Sequence, residues 1–288
     1  MPDKAEDRAY VEAAAECERL VREGDPDRAV TLAFVPAEHR PYLAALYAFN
    51  IETARVRAAV SQPLPGEIRL QWWRDRLAGT EAAVEGSTGN PVADLLDVAI
   101  RRFDLPRDAF DRFIEARIFD LYDDPMPDRG AFEAYAGSTA SALIVLAAMI
   151  LDRKLAPQVV DAAGHAGVAQ AAVGAIRLLP IHRRLGHVLI PADILAVSGS
   201  TPETLLAGEA EASTRAIAAM TAFAREHFEA YRVRRASIPA SLRAAFLPAA
   251  LTGAYLDRIE RAGATNLEQP APLGPLRRAA VLWRAMRR

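Results

Sequence analysis

One cysteine in 288 residues leaves no partner for an internal disulfide and no cysteine-based zinc site. Cys17 fits a reducing compartment, and a cytoplasmic location is expected. Lysine is nearly missing, occurring only at Lys4 and Lys154, so arginine carries almost all the positive charge. That bias matches a GC-rich genome and suggests a bacterial source. Neither sign of charge is in excess: 35 basic and 37 acidic residues give a net charge of −2. Such a balance gives no reason to expect a nucleic-acid partner. Aromatics make up only 7 %, and few stretches collect Val, Ile, Thr and aromatics with a period of two. A sheet has little to be made from. Long apolar runs are also lacking. The longest, Ala142 to Leu151, lies between Ser141 and Asp152, roughly half of the ~20 residues that span a bilayer. It reads as a buried helix. Met1 to Asp7 is polar and charged, unlike a signal peptide.

What is plentiful is alanine, the best helix former, within a hydrophobic share of 51 %. The chain is therefore read as all-α, one domain over residues 1–288. Helices are expected at Asp7–Arg22, after the Asp25-Pro26 start signal, and at Glu38–Val60 with Leu43, Leu46, Tyr47, Asn50 and Ala54 on one stripe. Pro63, Pro65 and Gly66 predict a turn before a helix holding Trp72 and Trp73. Gly86 to Pro91 predicts a loop and Asp123–Pro127 a connector, with helices between them at Val92–Phe103 and Arg107–Leu121. Further helices are expected at Gln158–Leu179, Pro202–Leu206, Glu211–Arg232 and Ser241–Arg261, with a break at Pro180. Residues 266–275, with three prolines and a glycine, read as a linker before a basic C-terminal helix at 276–288.

Three anchors in order carry a resemblance. Thr31 to Phe49, ending in Leu-Tyr-Ala-Phe, resembles the opening of the squalene/phytoene synthase family. Phe113 to Leu121 followed by Tyr135-Ala-Gly, and then Gly186-His-Val-Leu-Ile-Pro191, resemble later segments of that family. The likeness sharpens at Ala48-Phe49-Asn50-Ile51-Glu52, Gln71-Trp72-Trp73, Arg177, Pro180-x-His182 and Ile190-Pro191-x-Asp193. These are similar to the subgroup containing the mitochondrial complex I assembly factor, which has this Ala-Phe-Asn-x-Glu motif where synthases place their first aspartates. The resemblance implies an isoprenoid-synthase-type helical bundle around a central cavity. It also implies a respiratory-complex subunit or assembly intermediate as partner.

Synthases of this family ionise a diphosphate inside an apolar cavity, where an unpaired multiply charged anion would be prohibitive. Magnesium therefore bridges it to carboxylates spaced i, i+4 on facing helices. Matching the family's register puts Ala54 and Ala58 at the first aspartate positions, and Leu178 and His182 at the second, with a tolerance of one residue. Gln170 falls one residue out of register. No metal, no other cofactor and no catalytic residue is expected. Losing even ~4 kcal/mol of transition-state stabilisation slows a reaction roughly a thousandfold. Asp120 and Asp124 have carboxylate-pair spacing, but Pro125 places them at a helix C-terminus, where the dipole disfavours anions.

Tyr47, Asn50, Ala54, Gln170, Arg177 and His182 are the candidates for lining the cavity. Three of them have an ordinary alternative: Asn50 as an amide satisfied in the core, Arg177 and His182 as surface groups. His182 and His187, five apart across a glycine, lack helical ligand spacing. Residues 276–288 carry five arginines, Trp283 and no acid, so this helix meets an anionic membrane face, docks a partner or folds onto the bundle. Three functions are weighed. The first is a non-enzymatic assembly or binding factor; the rivals are a prenyltransferase with an altered diphosphate site and an isoprenoid or lipid carrier.

Overall fold

Prolines and short polar caps decide where the helices begin. Asp25 accepts the Arg28 amide at 3.0 Å, and Pro26 sits in the first turn, where no amide partner is needed. Asn90 accepts the amides of Val92 and Ala93 at 2.8 and 3.1 Å, again with proline first. Asp128 accepts the Ala131 amide at 2.8 Å, and Thr201 with Thr204 forms a reciprocal capping box. The computed structural model describes residues 4–79, 88–122, 124–269 and 272–287, and among the described residues no strand is present. In chain order the helices described are α1 (Lys4–Gly24), α2 (Pro26–Leu32), α3 (Arg40–Arg55), α4 (Pro63–Leu77), α5 (Pro91–Phe103), α6 (Arg107–Phe119), α7 (Arg129–Ala136) and α8 (Ala142–Asp152). They continue as α9 (Val160–Arg177), α10 (Leu179–Arg184), α11 (Ala192–Val197), α12 (Pro202–Ala207), α13 (Ala210–Arg234), α14 (Leu247–Ala250), α15 (Thr252–Ala262) and α16 (Pro275–Arg287).

Four expectations need correction. The helix expected to reach Val60 ends at Arg55 and tightens into a 3₁₀ turn at Arg57–Ala59. Pro63, Pro65 and Gly66 are not a separating turn but the opening of α4, because proline fits a helix's first turn. The break expected at Pro180 comes earlier, α9 ending at Arg177, and Pro180 lies in the first turn of α10. The stretch from Ser241 to Arg261 is split into a 3₁₀ segment, α14 and α15, with Pro248 in α14's first turn. Gly86, Ser87, Asp123, Pro270, Ala271 and Arg288, read as loop, connector, linker and helix end, lie outside the described residues.

The chain divides into two compact units, each discontinuous in sequence. The first comprises Met1–Tyr122, Leu143–Pro157 and Ala240–Ala245. Its inner helix is α3, where every residue from Tyr42 to Phe49 is buried, as expected of a helix apolar on all sides. Helices α1 and α5 pack on it, and α4 pairs with α6. Phe49 anchors an aromatic cluster, with ring centroids 5.0 Å from Trp73, 5.1 Å from Phe113 and 5.7 Å from Phe110. Each such pair contributes about 0.5–1.5 kcal/mol beyond burial alone.

The second unit comprises Asp123–Ala142, Gln158–Pro239 and Phe246–Arg288. Its inner helix is α9, buried through small residues: Ala162, Ala163, Ala166, Gly167, Ala169 and Ala172. These let α13 and a π-helical turn at Gly137–Ser141 approach closely. That turn joins α7 and α8 into one helical run, Arg129–Asp152, of 24 residues. The apolar helix is thus longer than the Ala142–Leu151 run implied. By length and composition this run and Ala156–Arg177 could each cross a membrane, but 50 % and 61 % of their most apolar windows are buried in the protein. That is the pattern of inner helices.

Candidate functional site

In the first unit the candidates lie on the last two turns of α3. Tyr47 is buried, with the Arg28 guanidinium 5.5 Å above its ring, and burial pushes its hydroxyl up to about 12. It cannot ionise near neutrality. Asn50 is half-buried, and its Oδ1 accepts from Arg117 Nη2 at 3.1 Å. The amide is therefore satisfied within its own unit, by a cation from α6. Arg117 also pairs with Asp120 at 3.1 Å and lies 5.2 Å from the Phe113 ring centre. This ion pair engages Asp120, which caps α6 at its C-terminal end. Ala54, one turn beyond Asn50, is exposed, and so is Ala58. The stripe on α3 thus leaves the core between Tyr47 and Ala54.

The glutamate of the Ala-Phe-Asn-x-Glu motif does something sequence reasoning did not assign. Glu52 accepts from Asn90 Nδ2 at 3.2 Å, while Asn90 Oδ1 caps α5. Burial, its largest influence, raises the Glu52 carboxyl above the usual carboxylate range, against the opposing pull of Asn90. The motif therefore ties α3 to the start of α5, a link 38 residues apart in sequence.

In the second unit Gln170 and Arg177 share α9, and His182 is on α10. Gln170 is half-buried, and its Oε1 is enclosed without a hydrogen-bond partner. Arg177, in the last turn of α9, favours that helix end electrostatically and stands 3.8 Å from the ring centre of Tyr255 on α15. Tyr255 was not anticipated, and nothing in its local sequence marks it. His182 is largely enclosed: burial first, then the neighbouring His187, depress it to about 4. It is neutral at physiological pH, and its Nδ1 is buried without a partner. The His182 and His187 rings lie 5.6 Å apart. Leu178, Ile181 and Leu185 beside them are all partly exposed. Among the described residues, no group of three or more His, Cys, Asp or Glu side chains is arranged to hold a metal.

The profile of the squalene/phytoene synthase family matches residues 21–284. The chain belongs to that family. Its curated relatives include NADH dehydrogenase (ubiquinone) complex I, assembly factor 6, of Homo sapiens, 29 % identical over 93 % of this chain and 81 % of that protein. The Bos taurus protein of the same name is 30 % identical over 85 % of this chain and 73 % of its own. Among solved structures, a dehydrosqualene synthase in complex with ligand superposes with a TM-score of 0.77 at 17 % identity, covering 96 % of each chain. Squalene synthase HpnC from Alicyclobacillus acidocaldarius gives 0.73 at 22 % identity, over 88 % of this chain and 95 % of its own. The family member described here therefore has the isoprenoid-synthase-type helical fold.

Proposed function

We propose that this chain is a non-catalytic member of the squalene/phytoene synthase family that assists assembly of a respiratory NADH dehydrogenase. The observation that carries the reading is the match to complex I assembly factor 6 over 93 % of the chain. Chemistry supports it. The register read from the resemblance puts Ala54 and Ala58, and within one residue Leu178 and His182, where the family has its diphosphate-binding aspartates, and none of the four can supply a carboxylate to magnesium. The test is incubation of the chain with farnesyl or geranylgeranyl diphosphate and magnesium, followed by mass spectrometry. No prenyl product is expected. A product abolished by EDTA would overturn the non-catalytic reading, and Asp120 and Asp124 would be the first residues to substitute.

A second reading, binding of an isoprenoid or lipid with a polar head, is favoured by the enclosed, unpartnered Gln170 Oε1 and His182 Nδ1. Buried polar atoms are ordinarily paired, and a ligand's hydroxyl would supply the donor that Gln170 Oε1 lacks. Native mass spectrometry of the protein with farnesol tests it: a retained adduct lost in Gln170→Leu supports it, and no adduct rejects it.

A protein serving a membrane complex needs access to the membrane surface. Helix α16 is docked through buried Leu282 and Ala285, and Arg277 pairs with Asp257 at 3.2 Å. Its outer face presents Leu276, Trp283, Arg284 and Arg287, with Arg287 3.9 Å over the Trp283 ring. We place peripheral contact with anionic lipid on this face, at about 1 kcal/mol per arginine before screening. Vesicle co-sedimentation should weaken in Trp283→Ser with Arg284→Glu. Equal binding by variant and parent would remove the assignment.

A further inference from the structure

Helix α4 has two apolar faces and a partner for one. Leu70, Trp73 and Leu77 point into the first unit, at the i, i+3, i+7 spacing of a packed face. Leu64, Ile68 and Trp72 follow a second ridge at i, i+4, i+8, and are 66, 63 and 40 % exposed. Single exposed apolar residues are ordinary, whereas three in line along one helix form a stripe of the kind that marks an interaction site. Trp72 is set edge-on against buried Trp73, centroids 5.1 Å apart, so its ring is braced from behind.

What lies beside the stripe indicates what covers it. Helix α6 packs against α4, and its outer side carries Asp108, Asp111 and Glu115, all exposed. Helix α4 adds Glu67 and Asp75. Of the six arginines on the two helices, Arg76, Arg107 and Arg117 pair with other carboxylates, Asp94, Asp97 and Asp120, which leaves Arg69, Arg74 and Arg112 against these five. Arg74 is held between Asp111 at 2.8 Å and Glu115 at 2.5 Å, and Arg112 rests on Asp108 at 2.6 Å. The stripe is therefore bordered by acidic excess. An anionic membrane would be repelled by this border. An antiparallel two-fold pairing of α4 with a second copy would set like charge against like.

We infer that the Leu64–Ile68–Trp72 ridge, with its acidic border on α6, docks an amphipathic helix of a partner protein whose apolar stripe is flanked by arginine or lysine. This recognition reads helical anchors at i, i+4 and i+8, with charge setting orientation and approach rate. It rests on the surface alone and does not depend on the assembly reading.

The test titrates the full chain with a fluorescent synthetic helix bearing leucines at i, i+4 and i+8 flanked by lysines. A second helix has the lysines replaced by glutamates. The lysine helix is expected to bind saturably and to weaken as salt rises, and the glutamate helix is expected not to bind. Ile68→Asp should weaken binding about tenfold or more, as loss of a central anchor does. Val11→Asp, at an exposed position on α1, should leave binding unchanged. Unaltered circular dichroism of both variants checks the fold. Equal affinity for the two helices, or binding indifferent to Ile68→Asp, would overturn the inference. So would dimerisation or anionic-vesicle binding that Ile68→Asp abolishes, since either would give the ridge to another occupant.

Discussion

Replacing Gly167 by alanine should destabilise the protein, although alanine is the better helix former. Gly167 lies on α9 where the π-helical turn crosses it. A Cβ placed there would come within 2.5 Å of the Ser141 Cα, with the Ser141 nitrogen and Oγ closer still. Ordinary contact begins near 3.4 Å, so the two backbones must separate by about 1 Å. Backbone cannot rotate away as a side chain can, and overpacking of this kind costs about 1–3 kcal/mol. Separation also stretches the bond from Ser141 Oγ to the Gly164 carbonyl, now 3.1 Å, worth about 1 kcal/mol. Alanine's helix propensity returns about 1 kcal/mol. The net is a loss of about 1–3 kcal/mol, or roughly 2–10 °C in Tm for a domain of this size. Gly164 and Gly174 lie on the same helix with nothing within 4 Å of an added Cβ. Alanine there should raise Tm by a few degrees. Thermal melts followed by circular dichroism compare the three variants. A Gly167→Ala protein as stable as Gly164→Ala would refute the close crossing.

Glu52→Gln keeps the acceptor for Asn90 and removes a charge disfavoured by burial. Since the folded pKa is raised above the unfolded value, Glu52's contribution is full below about pH 4 and lost as pH rises through the folded pKa. The variant should therefore melt higher than the parent at pH 7.5 and alike at pH 4. Two histidines shift the opposite way. His182 is depressed to about 4, and His165 is lowered by burial, Arg234 and His227, whose Nδ1 lies 3.2 Å from its own. With folded values below about 6.5, their contribution is full above that pH and lost as pH falls through the folded value, which for His182 is about 4. His182→Asn should flatten this acid limb of a Tm–pH profile, and an unchanged limb would remove His182 from the account. Arg117→Ala strands Asn50 Oδ1 and removes the Arg117–Asp120 ion pair, at a cost of about 1–3 kcal/mol measurable by urea unfolding. A loss under 0.5 kcal/mol would show that the pairing is solvent-screened.

The helical class and most helix starts were legible because their causes are local. Asp25-Pro26 and Pro202 act within one turn, and an alanine-rich composition leaves no competing sheet. Errors arose where one residue has two local meanings. Pro63 and Pro180 read as breakers, yet each opens a helix, and only the following turns decide which applies. The π turn at Gly137–Ser141 was hidden because its wider winding is fixed by contact with Gly167, some thirty residues on. At the site, the helical stripe accounts for buried Tyr47 but not for exposed Ala54, and Trp72 and Trp73 divide as neighbours on one helix must. Arg117 could have been sought as the donor that a half-buried Asn50 requires. Tyr255 and Asn90 could not, since what joins them to Arg177 and Glu52 is tertiary packing across 78 and 38 positions.

The central claim is that the chain serves respiratory-complex assembly without prenyl chemistry, and deletion of its gene in the source cells tests it most directly. Membranes of the deletion strain should lose NADH:quinone oxidoreductase activity and the intact complex on a native gel. Both should return with the wild-type chain and equally with Ala54→Leu, which adds bulk where the family's first aspartate position falls. A full complement of assembled, active complex in the deletion strain would contradict the account.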